Sequence, residues 1–449
     1  MINEKDTLAI EYACIHGLLQ LSPEATLRHA PLSVSPYTIS QHLQHTMTTL
    51  TPACNQLLHN LSRDHECLLD MHTPLADGDE FMAILLDIAR NASSTQPASL
   101  HMFRNDFMVE EHEGVLWPKL VECNTISASF HGLMQRATQV HSHLAKLGHL
   151  PAILPQEPLA ELCSGFQAAL AIMGLPDPCI LFVVQPHERN IFDQRLIQFA
   201  IESHLGVPVV RLSLAEIARE GVLRNGHLFV QGKPVAVAYF RSGYTPEDYP
   251  SQMAIDGRKL LEAADCIRTP DIFTHLAGTK LAQRALGKPE FLRNYLDATS
   301  IAPLLQVTKA MYHLDEIHPS GVPITDHVRR FPQNYVLKPQ REGGGNNTYA
   351  DDIPPALDAL SDKRRQAHVL MEKIHAHTHT ARLIVDGNAE DQLCISETGR
   401  YGMMVHDGTA TLINRDIGYL VRTKAASNNE GGVCSGYACL NTLTLEAHP

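Results

Sequence analysis

No stretch of the 449-residue chain approaches the roughly 20 consecutive apolar residues that a membrane-spanning helix needs. A secretory hydrophobic region is also missing from its start, so the expectation is a cytoplasmic protein. On that expectation the Asn-x-Ser/Thr triplets at Asn60, Asn91 and Asn346 carry no glycan. Cys-x-x-Cys spacing is absent: ten cysteines are scattered from Cys14 to Cys439, as reduced thiols would be. Positive charge is in deficit, with 36 Lys and Arg against 49 Asp and Glu and a formal net charge of −13. A field of that sign repels phosphate backbones and anionic lipid, which excludes nucleic acid and membrane as main partners. Any phosphorylated ligand must meet locally clustered Lys and Arg. There are 26 histidines, which could add positive charge below neutral pH. With 44% hydrophobic and 19% charged residues the composition is that of an ordered globular protein, too long for one simple core.

Periodicity makes the first hundred residues helical. Leu8, Tyr12, Ile15 and Leu19 share one helical face, as do Ile39, Leu43, Met47 and Leu50, and Pro52 is expected to end the second stripe. Met82, Leu85 and Ile88 mark a third helix. Beyond Leu116 short strand-like runs follow at 119–123, 179–185, 207–212, 235–240, 335–338, 368–373 and 392–396, with helical stretches between several of them. This pattern predicts an α+β protein with an α/β subdomain, doubly wound, in the 178–277 block and antiparallel sheet after Lys338. The expected division is 1–177, 178–277 and 278–449.

Four segments carry chemistry. The strand ending in Lys338 runs into a loop with Gly343, Gly344 and Gly345 and then Asn347 and Tyr349. Successive glycines let backbone N–H groups approach an oxyanion, and a lysine supplies a point charge for phosphate. No Gly-Lys-Ser/Thr ends the loop, so it is not a Walker A motif; it reads either as a plain turn or as a phosphate cradle. Glu342 beside it favours the second, because nucleotide phosphates bring Mg2+ and Mg2+ wants hard oxygens. Glu122 and Asn124, two apart on a strand, face the same side and could share that ion, or could be a strand end with an Asx turn. Glu188, Asn190 and Gln194 follow an apolar strand, where doubly wound sheets bind ligands; a capped, solvated helix start is the alternative. Arg241, Arg422 and Lys424 close strands and suit carboxylates and phosphates. His375, His377 and His379 alternate without an acidic or cysteine partner at metal-binding spacing, and the lone Trp117 reads as packing.

In chain order, Arg104-Asn-Asp-Phe-Met108, Glu122-Cys-Asn-Thr-Ile-Ser-Ala-Ser129, Glu188 through Gln194, Tyr239 through Tyr244, Leu276 through Lys280, Lys338 through Tyr349, Met371-Glu-Lys-Ile374, Ile395-Ser-Glu397 and Arg422 through Val433 closely resemble the eukaryotic-type glutathione synthetases. The match runs from about residue 100 to 440, and its glycine-triad and Glu-x-Asn-Thr-Ile-Ser-Ala-Ser segments are individually specific. The resemblance implies a homodimeric, circularly permuted ATP-grasp ligase that joins γ-glutamylcysteine to glycine through an acyl phosphate. It implies that Glu122, Asn124 and Glu342 hold Mg2+. Lys280, Lys338, Gly343, Gly344, Gly345, Asn347, Tyr349, Glu397, Lys424 and Glu430 would surround ATP, with Met371, Glu372, Lys373 and Ile374 at the adenine. Arg104, Ser127, Ser129, Glu188, Asn190, Gln194, Arg241, Arg422, Val433 and Cys434 would hold the substrate. Arg104, Lys338 and Arg422 would act in the chemistry. Three departures stand out: segments trimmed near 145–175 and 285–330, a different 375–379 stretch, and Val433-Cys434-Ser435 in place of Val-Ala-Ala. The last leaves glycine, serine or β-alanine open as acceptor. A relative that binds without catalysing is the remaining alternative, although the metal and phosphate residues are all of the right type.

Overall fold

A nineteen-residue strand, Asn388–His406, organises the structure. It pairs antiparallel with Thr411–Ala425 on one side and Ser99–His112 on the other, in a seven-stranded sheet that Val115–Asn124 completes at one edge. Its first residues also pair with His379–Val385, which pairs in turn with Leu32–Ser33. The sheet closes through Cys439–Asn441, so five strands form a ring filled by Ala381, Leu383, Cys394 and Cys439. The chain is described here by a computed structural model, which covers all residues except Met1, Pro23, Glu24, Glu430, Ser435 and 447–449.

A second sheet has six strands, a parallel, doubly wound part extended by the antiparallel strands His227–Val230 and Val222–Arg224. Its strands Cys179–Val183, Val209–Leu212, Lys233–Phe240 and Ile267–Thr269 pair in parallel, and helices Ile191–Leu205 and Gln252–Ala263 fall between them. Cys179–Val183 and the last six residues of Lys233–Phe240 are wholly buried, as expected where helices cover both faces. The third sheet, after residue 310, is four-stranded and antiparallel, with the order Met311–His313, His368–Glu372, Tyr335–Pro339, Thr348–Tyr349.

The amino-terminal reading needs two corrections. Pro52 lies inside helix Gln41–Arg63 and does not end it. An internal proline costs a helix about 3 kcal/mol, but here the buried stripe of Leu43, Met47 and Leu50 continues through Cys54, Leu57, Leu58 and Leu61. Packing across that length outweighs the lost bond. Leu19 and Ile39 are not helical: they sit on short strands, Leu19–Leu21 and Tyr37–Ile39, the latter paired in parallel with Leu443–Leu445. The partner of Tyr37–Ile39 is about 400 residues away, beyond any local periodicity, whereas Leu19–Leu21 pairs with nearby Leu27–His29.

Asp193 ties the parallel sheet to the main sheet. Helix His131–Lys146 starts from Phe130, at φ 78°, whose side chain has no acceptor with which to cap it. Asp193 of the next unit caps it, accepting from the backbone N–H groups of Phe130 and Gly132 at 2.8 Å and Leu133 at 3.2 Å. Three backbone donors on one carboxylate hold the start of the helix in place. Asp193 fixes the 125–130 loop against the start of helix Ile191–Leu205.

Candidate functional site

Between the antiparallel sheets lies a cavity of about 420 Å3. Strands bring Arg104, Glu122, Asn124, Lys338, Tyr349, Glu397, Arg422 and Lys424 to it, and loops add Gly343, Gly344, Asn347 and Lys373. A more open cleft beside helix Gln41–Arg63 gathers none of the predicted residues.

At one end the groups are ionic. Lys280 opens a short helix whose N-cap, Thr279, accepts from Ala282 N–H at 3.3 Å and meets buried His72 Nε2 at 2.6 Å. Lys280 is itself buried, and its Nζ lies 3.1 Å from Glu122 and 3.3 Å from Glu342. Burial alone would raise the Glu122 carboxyl, yet Lys280 and Lys338 hold it below the usual range. Burial pushes Glu342 up, with Lys280 opposing and Glu122 adding. Burial also brings Lys338 down to about 8, helped by neighbouring Lys280 and opposed by Glu122. A lysine so placed gains by acquiring an anionic neighbour such as phosphate.

The glycine loop spans the gap between two hairpin strands, Tyr335–Pro339 and Thr348–Tyr349. Gly343 and Gly345 take φ of 82° and 88°, a backbone region costly for other residues, and Gly343–Asn346 is exposed. The base of the loop is anchored: Arg341 makes two bonds to Asp79, at 2.5 and 3.0 Å, and Asp79 also caps helix Glu80–Arg90. An anchored base under an exposed glycine run is the design of a lid. Amide exchange over 341–348 is expected to slow when an ATP analogue and Mg2+ are added, and equal exchange in both states would remove the lid reading.

The other end is apolar. Met108, Val336, Met371, Ile374 and Ile395 line it beside Glu372 and Lys373, as a flat heterocycle requires. The 375–379 stretch is a loop with His375 and Thr378 exposed, and His375, Ala376 and Thr378 line the same cavity. Glu110 holds the stretch by accepting from His375 N–H at 2.8 Å, and His379 Nε2 meets Ser396 Oγ at 2.8 Å.

Asp106, to which the sequence reading assigned no role, is the hub of the floor. Its buried carboxylate accepts from Arg104 Nε at 2.6 Å and Nη2 at 2.8 Å, from Asn124 Nδ2 at 3.0 Å and from Arg422 Nη2 at 3.1 Å. Arg422 also contacts Glu397. Arg104 and Asp106 are two apart on one strand, and that spacing was the available signal.

A second set gathers at the carboxyl ends of the parallel strands. Glu188 accepts from Asn190 N–H at 2.7 Å and from Gln194 Nε2 at 2.5 Å, and Arg211 donates to Gln194 Oε1 at 2.6 Å. Ser127 Oγ donates to Phe240 O at 3.2 Å, next to buried Arg241. Arg241 lies 3.8 Å from Asp193, and its Nε and Nη1 are without a partner among the described residues. Such a cation is poised for a carboxylate. Ser129 bonds back to Ser127 O at 3.2 Å. Val433 is buried and Cys434 half-buried, its thiol pushed up to about 12 by burial, with Asp193 and Glu188 adding. None of these residues lines the 420 Å3 cavity, nor does Gly345. Glu430 and Ser435 lie outside the described residues.

Among the described residues no cluster of three His, Cys, Asp or Glu side chains forms a metal cage. Glu122 and Asn124 line the cavity, and Glu342, which does not, is joined to Glu122 through Lys280. Asn124 donates both its N–H bonds to protein, to Arg104 O at 3.2 Å and to Asp106, so Oδ1 remains as a hard donor. That sparse oxygen set fits Mg2+, which keeps water and substrate phosphates in its shell.

Residues 2–445 match the family model described as eukaryotic glutathione synthase, ATP binding domain. The chain is similar to the chloroplastic glutathione synthetase of Arabidopsis thaliana, 34% identical over 97% of this chain and 84% of that protein. It is equally similar to the glutathione synthetase of Homo sapiens, 34% identical over 96% of this chain and 94% of that one. Among solved structures, a glutathione synthetase-like effector from Globodera pallida in its apo form superposes with a TM-score of 0.80, covering 99% of this chain and 96% of its own at 18% identity, a likeness of fold.

Proposed function

The chain belongs to the eukaryotic glutathione synthase family, and from that premise we propose that it is an ATP-dependent ligase joining γ-glutamylcysteine to glycine, with Mg2+. One observation carries the reading. A strand-end lysine, a glycine lid, an oxygen donor set and two arginines meet in a single cavity that has an apolar end. The adenine lies against Met371–Ile374, with Glu372 and Lys373 at its edge. Lys280, Lys338, Lys424 and the backbone N–H groups of 343–345 take the phosphates, with Asn347, Tyr349 and Glu397 around them.

Arg104 and Arg422 hold the cysteinyl carboxylate of γ-glutamylcysteine, and Ser127, Ser129, Glu188, Asn190, Gln194 and Arg241 its γ-glutamyl end. That carboxylate attacks the γ-phosphorus of ATP and displaces ADP, and the acceptor amine then attacks the acyl carbon, loses a proton and expels inorganic phosphate. Lys338, Arg104 and Arg422 neutralise charge that builds during the in-line transfer. Mg2+ held by Glu122, Asn124 and Glu342 supplies Lewis-acid neutralisation of the phosphates when bound. The lid excludes water, which would otherwise hydrolyse the acyl phosphate.

The same reading carries the three-part division at 177/178 and 277/278 and a cytoplasmic homodimer. No helix among the described residues is long and apolar enough to cross a membrane. A solution mass near 49.7 kDa would overturn the dimer.

Acceptor choice rests on Val433 and Cys434. A sulfur in this turn narrows the space for the amine and favours glycine over β-alanine, which carries one more methylene. Such sieving amounts to about 1–3 kcal/mol, roughly 10- to 200-fold. Phosphate release with ATP, Mg2+ and γ-glutamylcysteine is expected to rank acceptors glycine, serine, β-alanine by kcat/KM. No release with any amine would overturn the ligase, and β-alanine ahead of glycine would overturn the contraction argument.

A further inference from the structure

We propose that Asp106 is a positioning residue for metal binding, acting through the amide of Asn124. The inference rests on the ligase reading above.

Cross-strand geometry puts the parts in one row. Asp106 stands opposite Glu122 on one neighbouring strand and opposite Gly399 on the other, and Asn124 stands opposite Arg104. All point to the cavity face, because residues two apart and direct cross-strand partners share a face. A side-chain amide has an oxygen and a nitrogen of nearly equal size, and only the oxygen can bind a cation. What sets the choice here is a pair of acceptors behind it: Arg104 O and Asp106 Oδ2 both take an N–H from Asn124 Nδ2. The carbonyl of Arg104 would accept in any variant, so the decisive partner is the Asp106 carboxylate. That carboxylate is in turn pinned by Arg104 and Arg422 and by the lack of a side chain at Gly399. A Cβ at Gly399 would lie 2.6 Å from Asp106 Oδ1 and 2.7 Å from Arg104 Cδ. The anion therefore has one position, and that position selects the rotamer that presents Asn124 Oδ1. Partners behind a metal ligand commonly change metal affinity about 10- to 100-fold when removed.

The experiment uses the full chain, with Mn2+ as probe and a non-hydrolysable ATP analogue, and reads Mn2+ affinity by electron paramagnetic resonance without turnover. Asp106→Asn places an N–H where an acceptor stood and should weaken Mn2+ binding about 10- to 100-fold. The exchange Asp106→Asn with Asn124→Asp restores a donor–acceptor pair with the same net charge. It should bring Mn2+ affinity back to within about threefold of the unmodified protein, a rescue that loss of packing alone would not show. Asn124→Leu removes the ligating oxygen and should weaken Mn2+ binding at least as much as Asp106→Asn does. Folded Asp106→Asn with unchanged Mn2+ affinity, or an exchange variant no better than the single ones, would overturn the proposal. If Asp106→Asn does not fold, Asn124→Leu decides: unchanged Mn2+ affinity there overturns it. Glutathione formation by the unmodified protein is measured alongside. Failure of the ligase reading appears in that control, and failure of this inference only in the variants.

Discussion

Glu342→Ala is expected to lower turnover about 100-fold, which corresponds to about 3 kcal/mol of lost transition-state stabilisation. The residue stands at the foot of the glycine lid and faces Lys280 together with Glu122. Removing it takes away one of three oxygen donors and leaves Lys280 still paired with Glu122, so the fold should tolerate the change. Burial already disfavours the ionised form of Glu342 in the free protein, so its loss should cost little thermal stability. The paired measurements are steady-state turnover and thermal midpoint. Unaltered turnover in a folded Glu342→Ala protein would take Glu342 out of the site. A collapsed midpoint would make it a structural residue.

A second large effect concerns acid. His72, His131, His141 and His275 are buried, and burial drives their pKa values down to about 4, 3, 4 and 3. In the unfolded chain they return to about 6.5. Between these limits the unfolded state binds protons that the folded state refuses, so stability is whole at pH 7 and is lost as pH falls below about 6.5. At pH 5 each contributes a loss of about 2 kcal/mol, together about 8 kcal/mol, against a typical net stability of roughly 5–15 kcal/mol. His59 and His101 are also lowered by burial and act in the same direction. Glu262, Glu342 and Glu397, whose carboxyls burial raises, offset part of the loss. Urea midpoints should therefore fall steadily from pH 7 to pH 5, with net proton uptake on unfolding at pH 5. A flat profile would mean that these imidazoles are protonated in the fold.

This outcome bears on what the sequence made legible. The 26 histidines could be read as latent surface charge, but His141 is wedged between Ser33 O and Thr442 Oγ1, at 2.7 and 2.6 Å. Neither neighbour is near it in the chain. Where chemistry is local, reading succeeds: the Lys338 loop and the Glu122–Asn124 pair are visible because their parts are adjacent, and both reach the cavity. Asp106 escaped notice because its meaning comes from Arg422 and Gly399, about 300 residues away. Taken alone it is one of three acids in its strand, and only its spacing from Arg104 sets it apart. The reading of Pro52 failed for a related reason, since local propensity says nothing of the core that holds the helix on both sides of it.

The ring of strands has a consequence for how the protein is made. Leu32–Ser33 and Tyr37–Ile39 pair with Cys439–Asn441 and Leu443–Leu445, about 400 residues later. Ribosomes add roughly 5–20 residues per second, so the early strands leave the exit tunnel about 20 to 80 seconds before their partners exist. Throughout that interval their backbone N–H and C=O groups lack the sheet that will satisfy them. Chaperone occupancy of the emerging amino-terminal segment should therefore persist until residues 439–445 have emerged, and release should follow them.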